Sequence, residues 1–301
     1  KVSFPWSMID KITPRPDASV KKMLEDAGFT DTESIVTSKN TYVAPFVNAE
    51  EAQYLVIENA FPNGRPALEN AGVMFTSRET VEKVERMKVC TCLNPLHTAL
   101  AVYGCLLGYT KISDEMKDAD LVKLVEIIGY KEGLPVVTDP GILSPKKFID
   151  EVLQIRVPNP FMPDTPQRIA CDTSQKLSIR FGETIKEYMA SSELDVKSLK
   201  FIPMVQAGWC RYLLGVDDEL NAFTVSPDPM YEELAGKLAG VKVGESCDVH
   251  AVLSPILSDA KIFGVNLYEA GLGEYVESIF AELIAGKGAV RETLKRHLAE
   301  A

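Results

Sequence analysis

At 301 residues, with 46% hydrophobic and 25% charged content, the chain has the composition of an ordinary folded protein of about two domains. A formal net charge of −11 argues against a nucleic-acid partner, which wants a basic face, but leaves room for a locally basic pocket that takes a small anion. The longest apolar run, 98–109, is shorter than the roughly 20 residues a membrane-spanning helix needs and is interrupted by small and polar residues. Six cysteines are too few for a disulfide scaffold, so a reduced, cytoplasmic setting is expected. The chain opens at Lys1 with neither an initiator methionine nor a signal-peptide core, which is expected of a piece of a longer polypeptide.

The first 75 residues mix short strands with punctuation. Val2, Ser3 and Phe4 read as a strand, and the prolines within Thr13-Pro14-Arg15-Pro16 forbid regular structure there. A short helix is expected over 19–27 and strands over 42–46 and 54–57, where β-formers concentrate; Asn63-Gly64-Arg65-Pro66 is a turn. From about residue 76 helix follows helix. Thr76-Ser77-Arg78-Glu79 fits a capping box with Thr76 as the cap. Met116, Leu121, Val125 and Ile128 predict an amphipathic helix over 113–128. Leu177, Phe181 and Ile185 repeat every four residues. Tyr275, Ile279, Phe280, Leu283 and Ile284 form a further helical face that stops at Gly286, and 290–301 is a charged amphipathic tail.

The stretch from Met87 to His97 carries the most chemical information. On a helix Val81, Val84 and Lys88 share one face, which would draw the Lys88 amine into apolar surroundings; losing hydration there lowers a lysine's pKa and suits it to acid–base work. A stem lying on the core with the ammonium reaching water is the competing reading. Asn94-Pro95 is a helix start in which Asn94 either caps the helix or offers its carboxamide to a developing oxyanion. His97 follows within the first turn, above the small residues Ala101, Gly104 and Gly108. A second cluster holds Arg168, Lys176 and Arg180 close to Asp164/Gln167 and Asp172/Gln175, two capping boxes whose helix starts would favour an anion or hydroxyls unless the cations merely form a solvated face. Cys90-Thr91-Cys92 lacks metal-ligand spacing, His250 and His297 stand alone, and Gly271-Leu272-Gly273 is no nucleotide loop, so no metal is expected.

Phe4-Pro5-Trp6-Ser7-Met8-Ile9-Asp10-Lys11-Ile12-Thr13-Pro14, Asn94-x-x-His97 and Arg168-Ile169-Ala170 with Lys176 together resemble, in order, the motifs of the polyol-specific long-chain dehydrogenases, the mannitol dehydrogenase family that includes fructuronate reductases. The resemblance spans essentially the whole chain. It implies a mostly α fold: a helical substrate-binding domain, 76–301, preceded by a short α/β remnant of a Rossmann-type cofactor domain, 1–75. It also implies zinc-independent hydride transfer between NAD or NADP and a sugar acid or polyol, the cofactor being held mainly by a domain absent from this chain. Under it Lys88, Asn94 and His97 are catalytic, with Lys88 as the acid–base and Asn94 on the reacting oxygen. Asp10, Arg168 and Lys176 face the substrate. One departure stands out, because five residues rather than the family's four separate Lys88 from Asn94. On an α-helix one extra residue turns a side chain by about 100°, so a bulge or loop must absorb it if Lys88 keeps its place. The alternative is a non-catalytic helical ligand-binding or scaffold domain.

Overall fold

The computed structural model describes residues 2–13, 16–162 and 164–301. The expectations for Lys1, Pro14, Arg15 and Pro163 lie outside the described residues. Strands β1 (Ser7–Asp10), β4 (Tyr54–Glu58) and β5 (Met74–Thr76) form one small sheet in the order β1-β4-β5, antiparallel between the first two and parallel between the last two. Between β1 and β4 lie helix α1 (Ala18–Asp26), capped by the Asp17 carboxylate, and a two-residue pair, β2 (Ile35–Val36) with β3 (Tyr42–Val43). The strand register sets Ser7 opposite Ile57 and Asp10 opposite Tyr54. Strand side chains alternate, so the face that buries Met8 also buries Asp10. Met8 joins Val56, Val81 and Val84 in a small core between the sheet and the next helix, and the same periodicity drives a carboxylate inward with it.

That next helix, α2 (Arg78–Met87), buries Val81, Val84 and Met87. It runs through a π-helical turn, Lys88–Cys92, into α3 (Asn94–Leu106), which is buried along almost its whole length. The combined rod Arg78–Leu106 is long and apolar enough to cross a membrane, but 83% of its apolar window lies inside the protein, which marks it as the core helix. Around it pack α4 (Ile112–Glu115), α5 (Ala119–Glu126), α6 (Pro145–Glu151), α7 (Pro166–Ile169), α8 (Glu183–Ala190) and the wholly buried α9 (Phe201–Tyr212). The C-terminal layer is α10 (Tyr231–Leu238), α11 (Val249–Leu257), α12 (Ala260–Phe263), α13 (Gly273–Leu283) and α14 (Ala289–Ala299). The start of α9 has no local cap; the buried Glu132 carboxylate accepts from the N–H groups of Lys200, Phe201 and Ile202 at 2.7, 2.8 and 2.8 Å.

The chain is thus mostly helical with few strands, and several local expectations need correction. Residues 2–6 form no strand; pairing begins at Ser7, where β4 lies alongside. The second strand is two residues, Tyr42–Val43, since its partner Ile35–Val36 is equally short. Ser77 caps α2 by accepting from Thr80 N, while Thr76 is used up as the last residue of β5. The helix expected over 113–128 breaks into α4 and α5 because Asp118 turns its carboxylate onto the N–H groups of Asp120 and Leu121 and starts a new helix. Neither second-cluster capping box forms. Thr165, not Asp164, caps α7, and Asp172 adopts a left-handed conformation (φ 52°) while Ser174 N bonds to Asp228 instead. Three further π-helical turns occur, at Ile127–Gly133, Val152–Arg156 and Ser178–Gly182.

Candidate active site

A cleft of about 720 Å³ opens where the end of β1 meets the junction of α2 and α3; Asp10, Lys88, Asn94, His97, Asp164 and Arg168 are on its wall. The junction decides its geometry. The π-helical turn fits one more residue into a turn than an α-helix does, and Leu93 N bonds back to Lys88 O, five residues earlier, at 3.1 Å. The extra residue between Lys88 and Asn94 is taken up there, and Lys88 stays on the side of Asn94 and His97.

The surroundings of Lys88 differ from those read off the helix pattern. Its side chain is 19% exposed, and its ammonium lies 2.8 Å from Asp10 Oδ1 in an ion pair. The helix face alone indicated an apolar environment, but the β1 register delivers a carboxylate to the amine. The other Asp10 oxygen, Oδ2, accepts from Arg156 Nη1 at 2.7 Å, and Arg156 also forks onto Glu50, Nε to Oε2 at 2.9 Å and Nη2 to Oε1 at 2.7 Å. Burial works against the ionised Asp10, but the hydrogen bonds and charges of Arg156 and then Lys88 outweigh it and hold its carboxyl below the ordinary range.

Asn94 does not cap α3. The preceding turn already runs into the helix, Leu93 takes the cap position, and His97 N bonds to Leu93 O. The Asn94 carboxamide is therefore left to the cleft. Burial pushes the His97 imidazole down to about 4, against the pull of Asp164 and with the help of Arg180, Arg156 and Arg168, so it is neutral at physiological pH. The small face below His97 receives a side chain: a Cβ on Gly104 would lie 2.0 Å from Glu115 Oε1.

The three cations expected to act as a group are separated by their partners. Arg168, 70% exposed at the cleft mouth, is gripped by both oxygens of Asp164. Lys176 is not on the cleft wall. Its ammonium donates to the Cys171 carbonyl, and burial followed by the neighbouring Arg180 charge lowers its pKa. Arg180 Nη1 donates to Thr98 Oγ1 at 2.6 Å, and burial brings the guanidinium down to about 10. The sequence reading missed Arg156 and Glu50. Arg156 is the lone charge in the apolar run 152–157, which is a usable signal, since a cation buried there must find a counter-charge. Nothing near Glu50 marks it. Among the described residues no three His, Cys, Asp or Glu side chains gather as a metal site would need.

Comparison with known proteins gives concordant matches. The mannitol dehydrogenase C-terminal domain model matches residues 80–279. The chain is 60% identical over 298 residues to a D-mannonate oxidoreductase of Thermotoga maritima, covering 98% of this chain and 55% of that protein. It is 31% identical over 272 residues to a mannitol 2-dehydrogenase of Aspergillus niger, covering 87% of this chain and 51% of the other. Its structure superposes with a TM-score of 0.75 on Pseudomonas fluorescens mannitol 2-dehydrogenase, solved as a ternary complex with NAD and D-mannitol, at 26% identity over 99% of this chain and 55% of that one. A D-sorbitol dehydrogenase in substrate-free form gives a TM-score of 0.76 at 27% identity, over 96% of this chain and 54% of that one. The chain spans about half the length of the curated relatives it matches.

Proposed function

The chain belongs to the mannitol dehydrogenase C-terminal domain family, and from that premise we propose that it supplies the proton-handling and substrate-holding half of an NAD- or NADP-dependent oxidoreductase acting on a sugar acid or polyol. The observation that carries this reading is the meeting of a carboxylate-paired lysine, an uncommitted carboxamide and a neutral imidazole on one cleft. Residues 76–301 are the substrate domain. Residues 1–75, with the parallel β4–β5 pair, are the end of a Rossmann-type cofactor domain. The cleft fits the reacting end of a nicotinamide and substrate pair: it has groups for a proton, a hydroxyl and a carboxylate, while the described residues contain no glycine-rich turn for a pyrophosphate. The cofactor, when bound, supplies or takes the hydride.

The remaining work falls to this chain. Lys88 Nζ gives its proton to the oxygen of a carbonyl being reduced and takes one back in the oxidative direction. Asn94 donates an amide N–H to the same oxygen as charge builds on it. A neutral His97 can hydrogen-bond a substrate hydroxyl without adding charge, and Asp10 keeps the Lys88 amine aimed. Arg168, whose pairing with Asp164 is screened by solvent, can turn one edge of its guanidinium to a substrate carboxylate. Lys176 and Arg180 add positive potential behind it. The 60% identical D-mannonate oxidoreductase favours a sugar acid over a polyol, and the free cysteines suit a cytoplasmic setting.

The test is NADH oxidation by the complete gene product with fructuronate, tagaturonate and fructose, in wild type and Lys88→Ala. We expect fastest turnover with a uronate and a loss of kcat of about 10²–10⁴-fold in the variant. Full turnover by Lys88→Ala refutes the acid–base role, and inactivity on all three compounds refutes the substrate class.

A further inference from the structure

The Asp10 that faces Lys88 is not free to choose its orientation, and what holds it lies 146 residues away in sequence. The Arg156 side chain is 1% exposed, and its fork bridges two buried carboxylates with three hydrogen bonds of 2.7–2.9 Å. Glu50 is pinned in turn. Its Oε1 also accepts from Ile12 N at 2.6 Å, its backbone N–H bonds to Ile12 O at 3.1 Å, and Lys11 Nζ donates to its carbonyl at 2.6 Å. The guanidinium lies over the Phe148 ring, 5.6 Å from its centroid, which fixes its plane. Nearby Tyr54 is neutral, its hydroxyl pushed up to about 12 by burial and by its hydrogen bond to Glu151. The charged and titratable groups around the amine are therefore Asp10 from β1, Glu50 from the loop before β4, Arg156 from the π-helical turn after α6, Tyr54 with Glu151 behind them, and Lys11, Asp17, His97, Asp164 and Arg168 on the shared cleft wall.

We propose that Arg156 and Glu50 form a positioning clamp for the acid–base lysine. Arg156 occupies Asp10 Oδ2, so that Oδ1 alone faces Lys88, and Glu50 holds Arg156 in place. The inference rests on the acid–base reading of Lys88. A buried ion pair is a poor source of net stability, because desolvating the charges costs about as much as their attraction returns. A network of two cations and two carboxylates built against the cleft has a use beyond stability. It fixes where the amine points and sets the positive Arg156 against the two carboxylates beside it.

The test is the pH dependence of kcat and KM for D-mannonate oxidation by the complete gene product, in Arg156→Gln, Arg156→Lys, Glu50→Gln and Lys88→Ala, with circular dichroism to score folding. Removing the Arg156 charge leaves two carboxylates facing one amine. The pH of half-maximal kcat is expected to rise by about one unit, with kcat down 10–100-fold and KM within about threefold. Arg156→Lys keeps the charge but not the fork, so it should restore the pH midpoint while kcat stays low. Glu50→Gln removes a negative charge and should move the midpoint the other way, which decides the matter if Arg156→Gln does not fold. Unmoved midpoints in the folded variants overturn the clamp and leave Arg156 a structural residue. Normal turnover in Lys88→Ala overturns the acid–base reading instead, so the two failures are distinguishable.

Discussion

Glu115 is fully buried against Gly104, and neither of its carboxyl oxygens has a hydrogen-bond partner among the described residues. Burial, with a smaller push from Asp118, raises its pKa from an ordinary 4.5 to about 9. The acid is therefore protonated in the folded protein at neutral pH and ionised in the unfolded chain. Stability from such a group is whole below its unfolded value and is lost as pH rises, until the folded value is reached. The window runs from about 4.5 to about 9, and by pH 7 the group has cost about 3 kcal/mol, at about 1.4 kcal/mol per pH unit. Glu115→Gln keeps the shape and removes the titration, while the cost of a buried unpaired amide does not vary with pH. Urea unfolding at pH 5, 6, 7 and 8 should show the variant gaining on wild type by about 4 kcal/mol across the series. Parallel stability curves would mean that Glu115 ionises in the fold or finds water there, and the reasoning would fall.

Gly104→Ala places a methyl on the same carboxyl and should destabilise by about 1–3 kcal/mol in thermal or urea melts. Adding Glu115→Ala should recover part of that loss; additive losses would show the two are not in contact. Glu132→Ala strips three N–H groups at the start of buried α9 of their acceptor and should cost about 3 kcal/mol or more, whereas a change below 0.5 would show that water substitutes. Residues 1–301 alone, without a glycine-rich nucleotide turn, should bind NADH weakly in calorimetry and show no turnover; saturable kinetics at the rate of the complete gene product would refute the assigned division of labour.

Where contacts are local in sequence, the amino-acid string was enough to read them. Lys88, Asn94 and His97 are within ten residues of one another, so the string places them at one helix junction, while the π-helical turn that keeps Lys88 on the side of the other two was legible only as a need for a bulge or loop. The helical face of Leu177, Phe181 and Ile185 is buried as its spacing requires, and α13 and α14 fall where their apolar faces place them. Capping was less legible. Asp164 and Asp172 have the residue type for a cap, yet a cation and a left-handed backbone claim them, and several short polar residues compete at every helix start.

Tertiary structure alone decided the charge around the amine. Periodicity on α2 says that Lys88 faces inward, and periodicity on β1 says that Asp10 does. Neither says they face each other, because that follows from docking the sheet on the helix through Met8, Val56, Val81 and Val84. Arg156 and Glu50 join them from 68 residues further along than Lys88 and 40 further than Asp10, separations over which no side-chain pattern has a phase. Ion pairing acts through space and periodicity along the chain, so the inward face of Lys88 could be read from order, and its electrostatic setting only from the fold.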